Sequence, residues 1–107
     1  MKTRKKSEIL AELGGLPEDI YDTLLAKFKT ITIGQLDKIR DCVTVGNTTE
    51  SGNLAHSMKG AAANLRLDAI LERVVKLEKD IKAGKSIKII EPQLARLKTL
   101  VETLELK

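Results

Sequence analysis

The only histidine of the chain, His56, stands in a run of small side chains, Ala55-His56-Ser57-Met58-Lys59-Gly60-Ala61-Ala62-Ala63-Asn64-Leu65. A neutral imidazole carries a nucleophilic nitrogen near neutral pH, and a hydrogen bond to the other ring nitrogen decides which tautomer is present. In a helix, side chains advance about 100° per residue, so Leu54, Met58, Ala61 and Leu65 form an apolar stripe and His56 points away from it, to water. Gly52, Lys59, Gly60 and Ala63 are its neighbours on that face, with Asn64 at the edge. A glycine on an exposed helical face costs about 0.5 to 1 kcal/mol relative to alanine, so Gly52 and Gly60 argue for a surface kept bare for a docking partner. Lys59, three residues after the ring, reaches the same patch of solvent, and its ammonium opposes protonation of the imidazole.

The second ring nitrogen needs a partner, and chain geometry nominates one. In an antiparallel helical hairpin that turns near residue 67, His56 lies level with Glu78, since each is eleven residues from the turn. A carboxylate there, on the flank of its own helix's apolar stripe, is able to accept the Nδ1 proton and leave Nε2 unprotonated. An ordinary reading stands beside this one: Glu78 is an exposed helix charge paired with Lys82 four residues on, worth only about 0.3 to 0.5 kcal/mol. Lys82 brings a second positive charge to the patch on either reading.

His56, Lys59, Gly60, the small pair Ala61 and Ala62, and the apolar Leu65 together resemble the signature of the histidine-containing phosphotransfer (HPt) domain family. That pattern, His-x-x-Lys-Gly followed by small residues and an apolar one, surrounds a phosphorylated histidine. The chain departs from it at Arg66, where the family has glycine. The resemblance implies that His56 accepts a phosphoryl group from a receiver-domain aspartate or a hybrid sensor kinase and passes it to another receiver. It also implies a Gln or Glu near the position of Glu78. Lys59 would then attract the phosphoryl oxygens, while Gly52, Gly60, Ala63, Asn64 and Lys82 would form the docking surface. Partners would be response-regulator receivers and a sensor or hybrid histidine kinase. Mg²⁺ is expected in the receiver, with no metal or other cofactor in this chain.

No Gly-rich phosphate loop, paired metal carboxylates or Ser-His-Asp constellation accompanies the histidine, and nothing in the sequence would bind ATP. The expectation is therefore a phosphotransfer intermediate rather than a self-contained enzyme. Two other functions remain compatible with the same patch. One is a noncatalytic helical adaptor; the other is the phosphoacceptor domain of a larger chemotaxis-type kinase. Met1 and the lack of flanking linker sequence favour a free-standing protein.

The 107 residues suit one domain, 1–107, and near-absent aromatics with abundant aliphatics, Lys and Glu favour packed helices. Of 19 Lys and Arg, four (Lys2, Arg4, Lys5 and Lys6) crowd the N-terminus, leaving 15 to face 15 acidic residues. The net charge of +4 thus belongs to a basic end, residues 1–6, expected to fray rather than to bind nucleic acid. The lone Cys42 permits no internal disulfide and reads as a small core residue. Without an apolar run of signal-peptide or membrane-span length, the expectation is a cytoplasmic protein, and a docking patch around His56 argues for a monomer over a homodimer that would bury it.

The elements that must carry the histidine follow from periodicity and caps. A short first helix over Ser7–Leu13, capped by Ser7, ends at Gly14-Gly15. A second begins beside Pro17, with Glu18 and Asp19 in its first turn and Ile20, Leu24, Phe28 and Ile31 as its stripe. The β-branched run Thr30–Ile33 blurs its end, and a third helix carries Leu36, Ile39 and Val43 to Gly46. Asn47 and Glu50 read as cap and N3 partner for the histidine helix, 48–65. After a turn at 66–68 comes a helix striped by Ile70, Val74, Leu77 and Ile81, ending at Gly84. The last starts near Pro92, or a turn earlier, and carries Leu94, Leu97, Val101 and Leu104. Short connections then predict an all-α fold, an antiparallel up-down four-helix bundle with one or two accessory helices at the N-terminal end.

Overall fold

The computed structural model describes residues 4–106. Among them are five helices and no strand: α1 (Lys6–Glu12), α2 (Glu18–Thr44), α3 (Thr48–Asn64), α4 (Asp68–Lys82) and α5 (Ile87–Glu102). α2 packs against α3 and α5, and α4 packs against the same two, so the four long helices close a ring around one core. That core holds Ile39, Met58, Val74, Leu77, Ile90, Leu97 and Val101, each without solvent exposure.

The expected second and third helices are one. α2 runs unbroken for 27 residues, roughly 40 Å at 1.5 Å per residue, and so sets the 43 Å long axis of the molecule. Residues Thr30–Ile33 do not interrupt it, because the helix penalty of a β-branched residue is only a few tenths of a kcal/mol and Thr32 is buried in the core. The Thr30 hydroxyl instead donates to the Ala26 carbonyl at 3.3 Å. In an unbroken helix, Leu36 and Ile39 are in phase with Tyr21, Leu25, Phe28 and Thr32, and these six form the buried face. Of the expected stripe Phe28 is buried, but the other three positions lie one residue off the buried face: Ile20, Leu24 and Ile31 are exposed, by 46, 41 and 59 %.

The remaining boundaries follow local chemistry. α2 stops at Gly46, whose φ of 78° few other residues accept, and Asn47 caps α3 by accepting from the Glu50 amide at 3.1 Å. α3 ends in a Schellman turn, in which the amides of Leu67 and Arg66 donate to the carbonyls of Ala62 and Ala63. Arg66 occupies the glycine place of that motif with φ 59°. Its guanidinium donates back to the Ala63 and Asn64 carbonyls at 3.0 and 3.3 Å; the Ala63 carbonyl already accepts from the Arg66 amide, so the acceptor that glycine would leave to water is that of Asn64. α5 starts at Ile87, more than a turn before Pro92, which lies inside the helix. Proline forfeits one backbone bond there, but Ile90 and Leu94 on either side are buried and hold the helix to the core.

Ser7 lies inside α1, and Lys5 takes the capping position. Of the basic end expected to fray, Met1, Lys2 and Thr3 lie outside the described residues. Arg4 and Lys6 are engaged instead: Arg4 pairs with Glu12 and Asp68, and Lys6 with Glu18 and Asp22. Each meets carboxylates gathered where α1, α2 and α4 begin or end. Tyr21 anchors the same end of the molecule, its buried hydroxyl donating to the Leu65 carbonyl at 2.7 Å. Among the described residues, no helix is long and apolar enough to cross a membrane.

Candidate functional site

α3 turns Ser51, Ala55, Met58 and Ala62 inward, small residues apart from Met58, which lets its neighbours approach closely. Of the expected stripe, Met58 and Leu65 are buried, whereas Leu54 and Ala61 are half-buried at its margin. His56 lies one residue beyond the buried Ala55, and its side chain is 69 % exposed. Its Nδ1 stands 3.2 Å from Oε2 of Glu78 on α4.

Glu78 is the buried member of the site, its side chain 7 % exposed. Lys59 donates to Oε1 at 2.6 Å, and Lys82 lies 3.1 Å from the Oε2 that also faces the imidazole. The hydrogen bond from Lys59 holds the Glu78 carboxyl down at about 2, with help from Lys82 and against the upward push of burial. A carboxylate that stays ionised can only accept, so Nδ1 is the donor and Nε2 carries the lone pair. Glu78 touches both the ring and Lys82, but it is buried, not the exposed helix charge that the second sequence reading took it for.

Lys59 therefore sits on Glu78 rather than standing free beside the ring. Gly60 is exposed, and an added Cβ would meet nothing within 4 Å. Ala63 is half-buried and Asn64 exposed at the last turn of α3. Gly52 is not part of the bare surface. It is buried, because the stem of Lys82 lies over it on the way to Glu78, with Cγ and Cε 3.9 Å from where its Cβ would be. The wheel placed Gly52 correctly beside the ring but could not show that α4 covers that flank.

Two features escaped the sequence reading. Ile20, Leu24 and Ile31 lie on the same flank of α2 as Lys38, whose ammonium is 3.9 Å from Glu50 of α3. They thus form an exposed apolar strip beside the histidine helix. The signal was present in the sequence: α2 carries two interleaved apolar stripes, more than one buried face requires. The other is an ionic cluster in which Arg66 donates to Glu12 at 2.8 Å while Arg4 joins Glu12 to Asp68. Among the described residues, no group of three or more His, Cys, Asp or Glu side chains is placed to hold a metal ion.

No curated protein and no solved structure matches the chain. A family model described as Hpt domain does, over residues 23–106, from the first turns of α2 to beyond the end of α5. That span takes in α3, α4, α5 and all of α2 but its first five residues, with His56, Lys59, Glu78 and Lys82, and the chain belongs to the Hpt domain family.

Proposed function

We propose that His56 is the phosphoacceptor of a phosphorelay carrier, taking a phosphoryl group from a receiver-domain aspartate or a hybrid kinase and surrendering it to another receiver. The family relays phosphoryl groups between histidine and aspartate; the assignment of residues rests on the site. One observation carries it: an imidazole 69 % exposed, with Nδ1 against a buried carboxylate, presents Nε2 outward.

In the transfer the Nε2 lone pair forms the N–P bond as the P–O bond to the aspartate breaks, and the aspartate departs as a carboxylate. Nδ1 keeps its proton, so the ring gains a positive charge facing Glu78. Positioning and charge neutralisation supply most of what such a displacement needs. The receiver contributes its Mg²⁺, and this chain brings Lys59 to the side of the ring and Lys82 to the Glu78 carboxylate behind it. Gly60, Ala63 and Asn64, flanked by Ile20, Leu24 and Ile31, are the surface on which the receiver settles. We read the scaffold as an antiparallel up-down four-helix bundle with α1 as the accessory helix. The pairings Tyr21 with Leu65 and Lys38 with Glu50 support opposed directions for α2 and α3, and Lys29 donating to the Leu104 carbonyl supports the same for α2 and α5. We read the carrier as cytoplasmic and as a monomer, the latter because a homodimer through this face would bury His56.

The test is incubation of the purified chain with a receiver domain phosphorylated by acetyl phosphate and Mg²⁺. Acid-labile, base-stable phosphate is expected on the wild type and none on His56→Gln. Label that persists in His56→Gln, or that no receiver delivers to the wild type, overturns the reading.

A further inference from the structure

Glu78 has more cations than its single charge needs, and they are not equivalent. Lys59 rises from α3, three residues from the ring, and holds Oε1; Lys82 comes from Glu78's own helix and shares Oε2 with Nδ1 of His56. Among the described residues, the charged and titratable groups that reach Glu78 are His56 and Lys59 from α3 and Lys82 from α4. A phosphoryl group arriving at Nε2 draws an ammonium towards it, and Lys59, on the same helix as the ring, is the one within reach. Its departure would strip a carboxylate that is 7 % exposed of its shortest bond, before the ring has acquired a compensating charge. A buried charge left without a partner is strongly disfavoured, so Lys59 is free to move only if another cation stays.

We propose that Lys82 is a positioning residue that acts through Glu78, keeping the carboxylate charged and fixed against Nδ1 while Lys59 moves to the arriving phosphoryl group. The inference rests on the carrier reading of His56. The geometry fits a cation that remains: Glu78 and Lys82 are four residues apart with the glutamate first, the favoured order on a helix. The Lys82 stem is also packed over Gly52, which ties the ammonium to Oε2.

Two measurements on the full chain test it. In the absence of phosphate, ¹³C NMR follows titration of the Glu78 carboxyl in Lys59→Met, Lys82→Met and the double variant. The midpoint is expected to stay low while either lysine remains and to rise by about one unit or more when both are gone. In single-turnover transfer from a receiver charged with acetyl phosphate and Mg²⁺, Lys82→Met is expected to lower the maximal rate about tenfold. The half-saturating receiver concentration should not change, and Lys82→Arg should restore the rate. In a Glu78→Gln background, Lys82→Met should have no further effect. A midpoint that does not move in the double variant overturns the proposal. So does a kinetic change confined to half-saturation, or one that persists in Glu78→Gln, either of which puts Lys82 on the partner or the phosphoryl group instead. Failure of the wild type to accept phosphate defeats the carrier reading and the transfer role with it, while the titration reports the Lys82–Glu78 coupling separately.

Discussion

Two ionic clusters, one at the α3–α4 turn and one further down the same helical hairpin, are built from the same kinds of residue at different depths. In one, Glu78 gathers His56, Lys59 and Lys82; in the other, Glu12 gathers Arg4 and Arg66, and Arg4 reaches on to Asp68. Both carboxyls are held below their ordinary range, Glu78 first by Lys59 and Glu12 first by Arg66. Their exposures differ, 7 % against 46 %. Water and salt screen the exposed pairs until they do little more than orient α1. Around Glu78 the same charges are only partly screened, and one of the groups they hold is the exposed imidazole of His56. Depth, rather than the number of charged contacts, separates a cluster that can tune chemistry from one that clips two elements together.

The largest expected difference between the clusters is their response to acid. The Glu78 carboxyl titrates at about 2 in the fold, against an ordinary value of 4.5. Its contribution to stability is therefore complete above the unfolded value and lost as the pH falls from there through about 2. Linkage makes that contribution on the order of 3 kcal/mol. Urea unfolding at stepped pH should show a loss between about pH 5 and 2 that Glu78→Gln reduces by more than Glu12→Gln does, the remainder falling to other depressed carboxyls such as the buried Asp80.

Transfer kinetics sharpen the same contrast. Glu78→Ala removes the acceptor of Nδ1, and the initial rate of phosphate uptake from a charged receiver should fall about tenfold or more, about 1.4 kcal/mol. Glu12→Ala should leave it within about twofold. Equal losses would mean that depth is not what distinguishes the clusters.

Arg66→Gly probes the exposed cluster from its backbone. Glycine relieves a left-handed conformation that costs an L-residue about 1 kcal/mol or more, but it gives up the bonds from Arg66 to Glu12, Ala63 and Asn64. Thermal unfolding should therefore show a small net change. Amide exchange in Ile9–Leu13 should quicken, because α1 loses one of its ties. The smallest effect expected is that of salt. Raising NaCl towards 1 M, where the Debye length is about 3 Å, should speed exchange in α1 while leaving the ¹³C titration of Glu78 nearly unchanged.

Much of this was legible from local sequence because helices are local. Asn47 with Glu50, Gly46 and Gly84 mark boundaries through bonds that span only a few residues, and α3 and α4 begin and end within about a residue of where those signals put them. The outward direction of His56 follows from period alone. Its level match with Glu78 follows from a turn at residue 67 and equal arms.

Other features depended on which neighbour covers which flank. α2 has two apolar stripes one residue apart, and period alone does not choose between them. The choice falls to Leu36 and Ile39, which join Tyr21, Leu25, Phe28 and Thr32 only when the helix runs unbroken past Thr30–Ile33. Gly52 lies on the correct face but under a lysine stem from α4. The same holds for Arg66, read from sequence as a departure from a family glycine. Its tolerance depends on carbonyls at the end of α3 and a carboxylate on α1.

The sequence by itself determined that this chain forms helices, roughly where they stop, and that its one imidazole looks outward, since backbone bonds and side-chain period act over a few residues. Only the tertiary structure decided that Glu78 would be buried and shared among His56, Lys59 and Lys82. Desolvation and the meeting of charges from different helices depend on how whole elements pack, which no local pattern encodes.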